Sequence, residues 1–129
     1  MEMPSLDLFL EEAKNDMSAK NCGMYLFHNG VVRASPKAQV REGAAADRRV
    51  AGMRFSYDGK KVEAAVNRAK ALPGIFYVRA WLNEGELKTG DNLMLVLIGG
   101  DIRPHVVDAL QSLVGELKSE CVAEEEIYE

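Results

Sequence analysis

The chain has 129 residues, 16 of them Lys or Arg and 20 Asp or Glu, for a formal charge of −4 at pH 7. With 47% hydrophobic and 28% charged residues it has the composition of one globular domain, long enough to bury a core without disulfides or a structural metal. The acidic balance excludes a general nucleic-acid binder, and the longest apolar run, at 93–98, falls far short of the roughly 20 residues of a membrane span.

Ser5 stands before Leu6, Phe9, Leu10, Ala13 and Met17, an apolar stripe at helical spacing that predicts a capped first helix of about four turns. Residues 23–33 (GMYLFHNGVVR) are rich in β-formers and read as a strand bent at Gly30. Residues 34–49 lack large apolar side chains, are punctuated by Pro36 and Gly43, and read as a long loop of the functional or mobile kind. Val50–Tyr57 alternates Met53, Phe55 and Tyr57 on one face and is a second strand. Asp58 caps a helix over 59–72, whose Val62, Ala65, Val66 and Ala69 share a face until Pro73-Gly74 stops it.

Ile75–Leu82 and 93–98 read as strands joined by NEGELKTGDN, where Gly85 and Gly90 supply the tight turns. Val106, Val107, Leu110, Leu113, Val114 and Leu117 trace a last helix over 103–120, and 119–129 is an acidic tail. The order αββαββα makes residues 1–129 a single α+β domain with a mixed or antiparallel sheet, which the last helix must return to cover.

Cys22 and Cys121 stand in no CxxC or Cys/His spacing, so neither a zinc site nor a redox pair is signalled, and both read as buried thiols. The N-terminus has no basic region ahead of an apolar one and is not a secretory signal, which points to a soluble cytoplasmic protein.

The charge is unevenly spread. Arg33, Lys37, Arg41, Arg48 and Arg49 against Glu42 and Asp47 give the 33–49 segment a net +3 in an acidic protein. Such a segment reads either as a solvated connection or as a lid for an anionic ligand, since guanidinium forks pair phosphate oxygens bidentately. Arg103 opens the last helix, where a cation opposes the helix dipole. Either an anion shared with the helix amides or a salt bridge to Asp101 accounts for it. Lys118 ends the same helix, where the dipole welcomes a cation. His28 and His105 have no carboxylate or cysteine at ligand spacing and are not read as metal ligands.

Three stretches, taken in order, resemble the MoaE family, the large subunit of molybdopterin synthase. Gly23 with Gly30-Val31-Val32-Arg33 is similar to its G-A-x-x-x-F-x-G-x-V-R signature, and Gly85 to Asp91 to its G-x-L-x-x-G-D turn. Arg103, Ala109 and Leu117-Lys118 resemble its R-x-x-x-F-x-A…L-K helix. The resemblance covers 22–120 and implies an α/β-hammerhead-like fold and a homodimer. It also implies a small ubiquitin-like sulfur-carrier subunit, whose Gly-Gly tail ends in a thiocarboxylate.

The activity implied is sulfur transfer from that tail to cyclic pyranopterin monophosphate, with no cofactor. Lys118 falls on the lysine that contacts the tail and, with Arg103, would be catalytic. Arg33, Arg103, Arg41, Arg48 and Arg49 would bind the substrate, since fixed cations stabilise a thiocarboxylate, a phosphate and an acyl-transfer oxyanion alike. The sequence departs from the pattern where the family has a second lysine: Glu125 stands there, a change of two charge units expected to repel an anion. Ile102 replaces a frequent His, and His28 the usual Phe. The implied function is therefore a sulfur transferase, or a scaffold that kept the binding groove and lost turnover.

Overall fold

A computed structural model describes residues 2–37 and 49–129 of the chain. Ser5 caps α1 (Leu6–Lys14) by accepting from the Leu8 amide at 3.3 Å. The helix is shorter than its apolar stripe predicts. Asp16 accepts from the Ser18 amide at 3.0 Å and starts a separate 3₁₀ turn, Met17–Asn21, which leaves Met17 90% exposed rather than on the buried face.

Then come β1 (Met24–Val31), β2 (Val50–Tyr57), and α2 (Gly59–Lys70), which Asp58 caps through the Lys60 and Lys61 amides. β3 (Ile75–Leu82), β4 (Gly85–Lys88), β5 (Asn92–Gly100) and α3 (Arg103–Glu116) follow, then a π turn over Leu117–Cys121 and β6 (Val122–Tyr128).

The α+β class holds, and two strands join the predicted order. β4 forms inside the segment read as a turn, and β6 inside the acidic tail. Among the described residues every strand pair is antiparallel, in two three-stranded sheets ordered β1-β5-β3 and β4-β2-β6. The predicted bend at Gly30 is a register shift between Gly30 and Val31. Of the segment expected to be a long loop, residues 38–48 lie outside those described.

β5 is the spine. Met94, Val96 and Ile98 face the main core with Val106, Ala109 and Leu113 of α3 and Ala65 and Ala69 of α2, while Leu95 and Leu97 face Phe9 and Ala13 of α1. A strand covered on both faces needs no polar alternation, which is why its sequence reads as an unbroken apolar run. Met53 and Phe55 of β2 and Leu87 of β4 carry the second sheet into the same core. Arg79 of β3 sits over the Phe9 ring, 4.2 Å from its centroid, and pairs with Glu12, fixing α1 on the sheet.

The turn between α2 and β3 packs closely against the start of α3. Gly74 has φ +78°, and a Cβ there would run into the side chains of Asp101 and His105. Cys121 is buried, whereas Cys22 is only half-buried, its thiol 3.6 Å from the Ser18 carbonyl. Among the described residues no helix is long and apolar enough to cross a membrane.

Candidate functional site

Lys118 lies in the π turn rather than in a last α-helical turn. α3 stops at Glu116, and the wider turn buries Leu117 and Cys121 while Lys118 stays 30% exposed. Its Nζ donates to Oε1 of Glu124 on β6 at 2.7 Å, and that carboxylate is only 14% exposed.

Arg33 reaches the same place from the other side. It follows Val32, which is buried and held at both backbone groups: its amide donates to the Asp91 carbonyl at 2.9 Å, and its carbonyl accepts from Gly90 at 2.7 Å. Arg33 and Lys118 line one cavity of about 460 Å³ whose apolar wall is Val31, Met53 and Leu93. Lys37 also lines it, and β6 contributes Glu124, Glu125, Glu126 and Tyr128. The Lys37 amide donates to Oε2 of Glu126 at 3.0 Å and the Tyr128 hydroxyl to Oε1 at 3.2 Å, so Glu126 ties the start of the β1–β2 connection to β6.

His28 stands close enough to Lys118 to feel its charge. Its Nε2 is buried and has no hydrogen-bond partner among the described residues. Burial, and then the Lys118 charge, push the imidazole pKa below its ordinary value, so the ring is neutral at pH 7.

The remaining predicted residues lie elsewhere. Arg103 is exposed at the N-terminus of α3, one full 14-residue helix away from the π turn. At 1.5 Å per residue the two ends are roughly 20 Å apart, so Arg103 and Lys118 of one chain do not share a ligand. Of the two alternatives for Arg103, the salt bridge to Asp101 is not formed. Asp101 instead accepts from the Ile102 amide at 2.6 Å and pairs with His105 Nδ1 at 2.7 Å, supplying the anion that the helix end favours. The His105 contact is the main cause holding the Asp101 carboxyl below its usual pKa.

Arg49 is exposed just before β2, and its carbonyl accepts from Glu129. It does not line the cavity. Arg41 and Arg48 lie outside the described residues.

Glu125 alternates away from Glu124 and Glu126. It pairs with Arg54, its cross-strand neighbour on β2, at 3.0 Å, with both side chains more than half exposed. The carboxylate expected to repel an anion therefore already has its own cation at the margin of the cavity. A larger and shallower cleft, about 630 Å³, runs along Arg54, Ser56, Glu84, Glu86 and Glu125. Its single arginine among carboxylates suits no anionic ligand, so the smaller cavity is the better candidate.

Sequence reasoning missed Glu124, Glu126 and Tyr128 as site residues because it read the tail as solvent-facing. The usable signal was the two-residue alternation of Val122, Glu124, Glu126 and Tyr128, which places all four on one face of a strand.

The model of the family described as MoaE protein matches residues 5–120 of this chain. No curated protein matches it. Among solved structures, the chain is similar to molybdopterin synthase from Staphylococcus aureus, with a TM-score of 0.77 at 16% identity over 100% of this chain and 88% of that one. It is also similar to the molybdopterin biosynthesis MoaE protein from Burkholderia ambifaria, with a TM-score of 0.72 at 17% identity over 99% of this chain and 85% of that one. A third likeness is to a complex of subunits 1 and 2 of molybdopterin-converting factor from Helicobacter pylori, with a TM-score of 0.65 at 19% identity over 95% of this chain and 80% of that one. At such identities these likenesses speak to the fold, and the family model speaks to descent: the chain belongs to the MoaE family.

Proposed function

We propose that this protein is the large subunit of a molybdopterin synthase, moving sulfur from the thiocarboxylate of a small carrier subunit to cyclic pyranopterin monophosphate. Membership of the MoaE family supports a role in molybdenum cofactor biosynthesis. The observation that carries the finer reading is the convergence of Lys118 and Arg33, from opposite ends of the chain, on one cavity with an apolar wall.

In the proposed step the thiocarboxylate sulfur adds to a carbonyl carbon of the pterin side chain as the C=O π pair moves onto oxygen and takes up a proton. Water then cleaves the acyl–sulfur bond, so the carrier leaves as a carboxylate and the sulfur stays on the substrate. Lys118 stands where its ammonium would stabilise the oxyanion formed as that bond breaks. Arg33 offers a planar fork to phosphate. The named Helicobacter complex joins two different subunits, which supports a small-subunit partner and not the homodimer implied by the resemblance. Arg103 would reach this cavity only from a second copy, so its role and the homodimer stand or fall together.

The Lys118–Glu124 pair favours a second reading, a binding scaffold without turnover, because the cation is already neutralised. Reconstitution with a thiocarboxylated carrier and the cyclic pterin, read as fluorescence of oxidised molybdopterin, separates the two. Product that disappears in Lys118→Ala supports the transferase; carrier bound with no product supports the scaffold.

A further inference from the structure

We propose that Glu124 is the general base of the sulfur-transfer reaction, taking a proton from the water that cleaves the acyl–sulfur bond. The inference rests on the proposed function for the reaction, and on the geometry of this chain for the residue.

Cleavage by water calls for a base beside the acyl carbon, and three carboxylates of β6 line the cavity: Glu124, Glu125 and Glu126. Two of them are committed elsewhere. Glu125 pairs with Arg54, with both side chains more than half exposed. Glu126 accepts from the Lys37 amide through Oε2 and from the Tyr128 hydroxyl through Oε1. Glu124 is only 14% exposed; its Oε1 accepts from Lys118 at 2.7 Å, and its Oε2 has no hydrogen-bond partner among the described residues. The backbone of Glu124 is set by the β2–β6 ladder opposite the buried Phe55, so a paired strand presents the carboxylate rather than a loose tail.

The pairing with Lys118 suits that role. At rest the ammonium and the carboxylate together carry no net charge. When the water oxygen bonds to the acyl carbon, its proton passes to Oε2 of Glu124 and the C=O π pair moves onto the acyl oxygen. Glu124 becomes neutral in that step, so the charge of Lys118 is released as the oxyanion forms. The pair then stabilises the transition state more than the ground state, which is the condition for a gain in rate. As the oxyanion collapses, the acyl–sulfur bond breaks, and the proton on Glu124 passes to the leaving sulfur. The new carboxyl group of the carrier ionises to solvent, and Glu124 is again a carboxylate beside Lys118. A cation neutralised at rest is thus compatible with turnover.

The test is a single-turnover reaction of the full chain with thiocarboxylated carrier and the cyclic pterin phosphate. Acid-quenched samples are read by intact-mass spectrometry for the acyl–sulfur adduct of carrier and pterin, and by fluorescence for oxidised molybdopterin. Glu124→Gln keeps an acceptor for Lys118 but removes the base, and it is expected to slow product formation by about 100-fold or more. The adduct, transient with the unaltered chain, should accumulate in that variant, which also shows that the variant is folded and still transfers sulfur. The proposal is overturned if Glu124→Gln forms product at the unaltered rate or if it forms neither adduct nor product. Faster product formation would also overturn it, making Glu124 a competitor for Lys118 rather than a base. An unaltered chain that forms neither adduct nor product is a separate result: it removes the sulfur-transfer reading itself, and the role of Glu124 with it.

Discussion

Lys118 Nζ lies 2.7 Å from Oε1 of Glu124, and the two come from the π turn and the strand that directly follows it. Six residues separate them in sequence, yet the wide turn folds one back onto the other and half-buries the pair. The ion pair sets the resting charge of the cavity: any anion that engages Lys118 does so in competition with Glu124.

Truncating Lys118 removes the partner of a carboxylate that is only 14% exposed. Lys118→Ala should cost about 1–3 kcal/mol in chemical denaturation, since Glu124 is left charged and unpaired. Adding Glu124→Gln to that variant should recover part of the loss, a coupling of about 0.5–3 kcal/mol in a double-mutant cycle. Strictly additive effects would mean that the pair contributes nothing in solution.

His28 makes stability depend on pH. Its pKa in the folded chain is lowered, by burial first and by Lys118 second, so the unfolded chain takes up a proton before the folded one does. Between the two pKa values the unfolded state binds more protons, and stability rises with pH. The contribution is complete above the ordinary histidine value of about 6.5 and is lost as pH falls through the folded value. Between pH 7.5 and 5.5 the unaltered chain should therefore lose more stability than His28→Leu, measured by urea denaturation at each pH. Equal losses would show that His28 titrates as a solvent-exposed imidazole does.

Much of the fold was legible because apolar periodicity and caps agreed. Ser5, Asp58, the Pro73-Gly74 stop and the apolar run of β5 each named their element. β6 was not legible because its inward positions include Glu124 and Glu126, whose partial burial is compensated by Lys118 and the Lys37 amide rather than by apolar contact. β4 is four residues long with only Leu87 buried, too short for a period of two to show. The site was half legible. Arg33 and Lys118 could be picked out by type and position, but the distance of Arg103 from them depends on a helix lying straight between its two ends. Lys37 could not be singled out within a basic segment until Glu126 was seen to hold it.

Two glycines should respond oppositely to alanine. Gly74 combines φ +78° with Asp101 and His105 where a Cβ would go, so Gly74→Ala should destabilise by more than the roughly 1–2 kcal/mol of left-handed strain alone. Gly59, the first residue of α2, has open space around it and an ordinary backbone. Gly59→Ala should stabilise by about 0.4–1 kcal/mol, chiefly by restricting the unfolded chain. Thermal unfolding of both variants checks the pair, and a neutral Gly74→Ala would refute the close approach at the start of α3.

Restoring a lysine at position 125 should not create a better anion site. Glu125 pairs across the ladder with Arg54 and alternates away from Glu124, so Glu125→Lys would set two cations side by side on exposed positions of β2 and β6. Like charges directly opposite on neighbouring strands are destabilising, and the expected cost is up to about 1 kcal/mol. Affinity for inorganic phosphate, read by nuclear magnetic resonance titration, should change less than threefold, because residue 125 lines the cavity with an exposed side chain beside Arg54, while Arg33, Lys37 and Lys118 already line it. A tenfold gain in affinity would mean that the strand can turn residue 125 inward, where its side chain adds to the cations of the cavity.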